Sequence, residues 1–193
     1  MLSNWNRQRR RKRNGTGMRP RLEPLETRLV LSTFKVNTTS DSVAVNLKTG
    51  KDATGHISLR SAIMAADARG GKNTINLPSG TFLLTIPGAG EDASATGDLD
   101  ITGNLTIKGK GSASTIIDGN NLDRVFQILG GKVSISNVTI QHGRSDGQGG
   151  GLFNAPGAGL TISSTTFPPT WPKAAPAVSA APAAGERAAT AET

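Results

Sequence analysis

The 193-residue sequence predicts an all-β fold, a right-handed parallel β-helix of a few coils with a capping α-helix at its N-terminal end. Three observations point there. Short β-branched runs return at near-regular spacing between Leu99 and Phe167, Gly, Asn and Asp stand between them, and one amphipathic helix precedes them. The segments GNLTI at 103–107, GKVSI at 131–135 and AGLTI at 158–162 align at offsets of 28 and 27 residues. Each alternates apolar with small polar residues, so Leu105 and Ile107, Val133 and Ile135, and Leu160 and Ile162 point to one face of their strands. Ile116 and Ile117, then Val125, Phe126 and Ile128, then Val138 and Ile140 supply the other walls. A strand this short cannot bury its apolar face alone, so equivalent strands must stack on the next turn of a solenoid. DGNN at 118–121, HGR at 142–144 and GGG at 149–151 suit the turns, which need positive φ or side-chain bonds to the backbone. An antiparallel sandwich is the rival, but its strands return every 8–12 residues or so, well below the repeat seen here.

Composition agrees with a core of stacked aliphatics. Aromatic residues make up 4% of the chain, and there are 24 Gly and no Tyr. The absence of cysteine excludes disulfide staples, thiolate metal sites and thiol catalysis. The net charge of +8 divides unevenly: residues 1–28 hold nine Arg or Lys against Glu23 and Glu26, which leaves +1 for the rest. The run RQRRRKR at 7–13 therefore belongs to a terminal arm, disordered in isolation, and not to the folded domain. Only Trp5 lies close enough to stack on a base, so no nucleic-acid partner is expected. Contact with anionic lipid and service as the positive region of an export signal stay open. For export of ordinary design, the apolar stretch Leu29, Val30, Leu31 is too short.

Along the chain, residues 1–33 form the basic export or sorting segment, 34–167 the cap and coils, and 168–193 a tail. Phe34–Asn37 and Ser42–Leu47 alternate and are expected to pair as initial strands. HISLRSAIMAADARGG at 56–71 is the one convincing helix, with Leu59, Ala62, Ile63 and Ala66 on one stripe, Ser58 as N-cap and Gly70 as the residue after the C-cap. It is placed to cover the open end of the first coil. GAGEDASATGD at 88–98, with Glu91 and Asp92, reads as a solvated loop projecting from the coil. After Phe167 the character changes within one residue, and PPTWPKAAPAVSAAPAAGERAATAET reads as a flexible tail.

Two stretches resemble known families. RLEPLETRLVLS at 21–32, behind the Arg run, is similar to the N-terminal motif of planctomycetal extracellular and surface proteins: Leu22, Glu23, Pro24, Leu25, Glu26, Arg28, Leu29 and Leu31 match, and Thr27 replaces a more usual acid. That resemblance implies export, with secretion or attachment to the cell surface. Residues 56–71 and TINLPSGTFLLT at 74–85 resemble the Cys-Ser-Leu-Arg-Glu-Ala-Ile family of bacterial surface β-helix proteins, whose folds are pectate-lyase-like. Ser58, Leu59, Arg60, Ala62 and Ile63 match, whereas Ile57 stands for the family's Cys and Ser61 for its Glu or Asp. Ser61 then lacks the carboxylate that completes a capping box. The likeness continues through GDLDITGNLTIKGKG, TIIDGNNLDRVFQI and GGGLFN, covering roughly 35–167. Family members continue with further coils, so the tail suggests a truncated or frameshifted product; a natural Pro/Ala linker is the alternative.

Chemistry-bearing residues are sparse. Asp98 and Asp100, two apart, share one face of a strand and could begin a calcium site, an ion that takes 6–8 oxygen ligands or so. Asp118 is expected to close an Asx turn, and Asp123, beside Arg124, to pair with a nearby surface charge. His56 and His142 show no zinc-like spacing, and GQGGG at 147–151 lacks the ending of a phosphate loop. Phe126, Phe153 and Phe167 read as core or coil-edge residues. No catalytic, cofactor-binding or metal-binding residue is assigned, and no cofactor is expected. The expected function is that of an exported, adhesive or structural surface protein. Cell-envelope polysaccharide or other surface proteins would be its partners, and the open coil end would favour self-association. The alternative is a fragment of a polysaccharide lyase or hydrolase, which needs an acidic cluster and an Arg or Lys base gathered on one outer wall.

Overall fold

A computed structural model of the protein describes residues 31–168. The basic arm, the export-like motif up to Val30 and the tail from residue 169 lie outside the described residues. The elements run β1 (Ser32–Lys35), α1 (Leu59–Arg69), β2 (Lys72–Asn76), β3 (Gly80–Leu83), β4 (Leu99–Ile101) and β5 (Asn104–Lys108). They continue with β6 (Thr115–Asp118), β7 (Phe126–Ile128), β8 (Lys132–Ser136), β9 (Thr139–Gln141), β10 (Leu152–Asn154) and β11 (Gly159–Ser163). The fold is thus mostly strand with one short helix.

The strands form three sheets, ordered β1-β2-β5-β8-β11, β3-β6-β9 and β4-β7-β10, and every strand pairing is parallel. From β2 onward the chain visits the five-stranded sheet, then the sheet of β3, then the sheet of β4, and repeats that rotation. The expected register is present: Leu105 lies opposite Val133 and Val133 opposite Leu160, with Ile107, Ile135 and Ile162 aligned beside them. An antiparallel sandwich is not what the chain forms; the one antiparallel contact among the described residues is the isolated Asn46–Lys51 bridge.

Alternation puts like residues at like heights inside. Ile75, Ile107 and Ile135 are fully buried in successive strands of one sheet, as are Ile117 and Ile140 beside Phe82 in the second, and Leu99 and Phe126 in the third. All belong to one apolar cluster. Each such side chain contributes about 1.5–3 kcal/mol of burial free energy, which strands of this length could not gain singly. The turns use the residues expected of them: Asn120, Asn121, His142 and Gly149 all have positive φ, at 53°, 55°, 50° and 78°.

Helix α1 covers the first strands, packing on β2 and β4. Its stripe is wider than the periodicity predicts, because Ala65 is buried along with Leu59, Ala62, Ile63 and Ala66. Polar ties fix it. The amide of Asn73, which occupies the column position held elsewhere by Leu105 and Val133, donates to the carbonyls of Ala66 at 2.9 Å and Gly70 at 3.0 Å. Asp67 accepts from the Thr102 and Gly103 amides, both at 3.1 Å.

Three expectations are corrected. Ser42–Leu47 is not a strand: Val45 and Asn46 N–H both donate to the Lys51 carbonyl, and Asn46 Oδ1 takes the Lys48 and Thr49 amides, so local bonding closes a loop there. Gly70 is the C-cap itself, φ 63°, not the residue after it, so the helix ends one position later than expected. The capping box is complete without a carboxylate. Ser61 Oγ accepts from the Ser58 N–H at 2.9 Å while Ser58 Oγ accepts from the Ser61 N–H at 3.0 Å. The hydroxyl of Ser61 also donates to the Gly50 carbonyl at 2.8 Å, and the side chain is fully buried.

A longer acid at this position would have to bury its charge under the loop at Gly50. Ser61→Glu is therefore expected to destabilise the protein by at least about 2 kcal/mol, and Ser61→Ala by about 1 kcal/mol. Urea denaturation followed by circular dichroism checks the order; a Glu variant as stable as the native chain would contradict the packing.

Candidate functional site

Arg60, one residue into α1, is 1% exposed. A guanidinium can be buried only if its five N–H groups find acceptors, and here they do. Nε and Nη2 reach the Asp41 carboxylate at 2.6 and 3.2 Å, Nη1 the carbonyls of Ser94 and Asp98 at 3.1 and 3.0 Å, and Nη2 the Gly97 carbonyl at 2.7 Å. Asp41 in turn accepts from the Thr85 and Ile86 amides at 2.7 and 3.1 Å. One buried ion pair thus ties the helix, the chain after β1, the end of β3's exit and the segment leading into β4. The sequence placed Arg60 in a motif but gave it no task; the missing signal is its partner Asp41, 19 residues away in a stretch without periodicity.

The loop expected to project instead folds back. Ser94, with φ 55° and 1% exposed, donates its N–H to Asp100 Oδ2 at 2.9 Å, and its hydroxyl bridges the Asp100 backbone. Glu91 accepts the Ala93 and Thr96 amides, both at 2.8 Å, so its carboxylate organises the loop from within. Gly97 sits at φ 59° where a Cβ would come within 2.4 Å of the Gly88 carbonyl oxygen, so the close crossing of the two loop strands needs glycine. The loop roofs the outward side of β4.

Beneath it lie Asp98 and Asp100, 4% and 1% exposed, with Asp98 Oδ2 and Asp100 Oδ1 both buried without a partner. Burial, reinforced by the Asp123 charge, pushes the Asp98 carboxyl up to about 6. Burial pushes Asp100 up to about 7 against the Ser94 N–H bond, with the Asp98 and Glu91 charges adding to the rise. On the neighbouring strand Gln127, in register with Asp100, donates to Asp92 at 3.1 Å and accepts from Arg124 at 3.0 Å. The Arg124 guanidinium lies 5.2 Å from the centre of the Phe153 ring, on the third strand of that sheet.

The remaining candidates are apart from this group. Asp118 ends β6, in a different sheet. It closes the expected Asx turn, accepting the Asn120 amide at 2.9 Å, and also holds Gln141 Nε2 at 2.7 Å and His142 Nδ1 at 2.9 Å. Burial works to raise its pKa, but those hydrogen bonds outweigh it and hold the carboxyl below its ordinary range. Asp123 does not pair with a cation among the described residues; it accepts the Arg124 amide at 2.8 Å. His56 bonds Thr54 at 2.9 Å, near the start of the helix. Phe126 is fully buried, Phe153 half-buried and Phe167 40% exposed. Among the described residues no three His, Cys, Asp or Glu side chains gather as a metal site. What the arrangement offers chemically is a sealed pair of carboxyls that titrates near neutrality.

Compared with protein-family models, with curated proteins and with solved structures, the chain matches none.

The buried pair makes stability depend on pH in a definite direction. Unfolded, both carboxyls titrate near 3.8; folded, near 6 and 7. Between those values the folded chain holds protons the unfolded chain has lost, so these groups lower stability as pH rises from about 4 to about 7, and no further above that. Asp100→Asn removes one of them. The variant should melt with the native protein near pH 3.5 and above it near pH 8, by about 4 kcal/mol, with part of that difference already present at pH 5; equal shifts at pH 3.5 and pH 8 in a calorimetric scan would refute the assignment.

Proposed function

We propose that the protein is an exported, cell-surface or extracellular right-handed parallel β-helix that acts by binding, as an adhesive or structural component, and not by cleavage. The rotation of the chain through three parallel sheets and the helix over the first strands support the β-helix reading, and parallel crossovers favour the right hand. The export reading is supported by the likeness of residues 21–32 to a surface-protein motif. No helix among the described residues is long and apolar enough to cross a membrane.

The observation that carries the choice of binding over cleavage is the separation of the carboxylates. A lyase-like site needs open acids and a base on one outer wall. Asp98 and Asp100 are sealed under the 88–98 loop, and Asp118 sits in another sheet with its oxygens already engaged.

Export is tested by mass and N-terminal analysis of tagged protein from the medium, the cell-surface wash and the cytosol of a planctomycete host. The full chain is expected outside the cytosol, and deletion of residues 21–32 is expected to retain it inside. Identical distribution of the two forms would refute the export reading.

A further inference from the structure

The register that stacks the core also orders the outside of the five-stranded sheet. Thr33, Thr74, Thr106, Ser134 and Thr161 are paired in succession across all five strands, an unbroken column of hydroxyls facing outward. Four of the strands, taken in spatial order, each carry one lysine beside that column, at alternating ends. Lys35 closes β1, Lys72 opens β2, Lys108 closes β5 and Lys132 opens β8. All four are exposed, and none has an ion-pair partner among the described residues. A hollow of about 350 Å³ on this face is lined by Lys72, Lys132, Asn104 and four members of the hydroxyl column, Thr74, Thr106, Ser134 and Thr161, with no carboxylate and no aromatic ring.

Spacing narrows the partner. Adjacent strands lie about 4.8 Å apart, close to the rise of one pyranose unit in an extended chain, so lysines on the same side are separated by about 10 Å, a disaccharide. In a ribbon-like polyuronate with equatorial linkages each unit is turned over relative to the last, so its carboxylates emerge on alternate sides at that same interval. Ammonium groups at alternating ends of successive strands meet this pattern, and serine and threonine hydroxyls both donate and accept toward ring and hydroxyl oxygens along the ribbon's spine. The absence of an aromatic platform on the face disfavours a single-stranded nucleic acid, whose bases would need one.

We propose that this face binds an extended, ribbon-like polyuronate, about one sugar unit per strand, held by the four lysines and the hydroxyl column. The assignment deepens the proposed binding function and rests on it, but its test uses purified full-length protein and does not depend on localisation. Binding is measured calorimetrically at two salt concentrations with three probes: polymannuronate, which is ribbon-like, polyguluronate, which has the same charge per unit on a buckled chain, and neutral mannan. The full chain is expected to bind polymannuronate at least about ten-fold more tightly than polyguluronate, and mannan not measurably. Replacing Lys35, Lys72, Lys108 and Lys132 by Gln should weaken polymannuronate binding at least about ten-fold and flatten its salt dependence. R9Q/R10Q/R11Q/R13Q, which removes as many charges from the arm, should change it by less than about three-fold. T74V/T106V should weaken it while leaving the salt slope unchanged, because hydroxyls are lost and charges kept. Melting curves verify folding, and K72Q/K132Q reads the same contact if the fourfold variant melts early. Equal affinity for the two polyuronates, no binding, or a loss confined to the arm variant would overturn the proposal. Binding in solution by a protein retained in the cytosol would overturn the export reading alone, and export without binding would overturn this one alone.

Discussion

Strands of three to five residues gain too little from their own burial to persist, so the structure depends on each inward side chain meeting a like one at the same height on the next strand. Ile75, Ile107 and Ile135 meet this condition without exposed surface. A slip of one residue would turn Thr106 and Ser134 inward and the isoleucines outward, which is why the alternation and the turns must agree. Positive φ at Asn120, Asn121 and His142 sets the turn geometry between walls, and the columns reward only one length of excursion.

Such stacking leaves two ends, and they are treated differently. At the first, the aliphatic face of α1 covers the column, and the column itself changes character to receive it: Asn73 replaces an aliphatic residue so that its amide can take the last carbonyls of the helix. Arg60 and Asp41 then lock the helix to the segments leading away from β3 and into β4. A buried ion pair of this kind adds little net stability over apolar packing, but it tolerates only one arrangement of the segments that satisfy it. It therefore specifies position where a smooth apolar cap would slide. At the other end of the described residues, β11 carries Leu160 half-buried and Ile162 39% exposed, so the column there is less covered than at the helix end.

What could be read from the sequence follows from this division. The registers Leu105–Val133–Leu160 and Ile107–Ile135–Ile162 were legible because period-two alternation repeats at a fixed offset, and the helix because its stripe has a 3.6-residue period. The ties between elements were not. Asp41 has no neighbours that mark it as the acceptor for Arg60, and Ser61 completes a capping box with a hydroxyl where a carboxylate is the recognisable sign. The 88–98 loop has a composition that suggests solvent, yet Ser94 and Glu91 pin it through backbone amides, which any sequence possesses and no pattern reveals. Asp100 lies on β4 and Asp98 in the bend just before it, not both on one strand; that the two are roofed depends on the loop, and so could not be inferred.

Because the inward half of each strand is committed to the columns, the outward half is free to vary but remains in register. A residue type that recurs at equivalent outward positions therefore stands at strand spacing, and a chemical preference becomes a lattice with no further device. On the five-stranded sheet that lattice is hydroxyl at the centre and lysine at alternating edges. On the sheet of β4 it is Asp100, Gln127 and Phe153, in register but chemically unlike one another and covered at the first position by the loop. The first is a periodic surface and the second a closed one. A polymer with its own repeat can match the first across the four lysine-bearing strands, whereas the second offers a single enclosed locus. The same constraint that builds the core thus decides which face can recognise something extended.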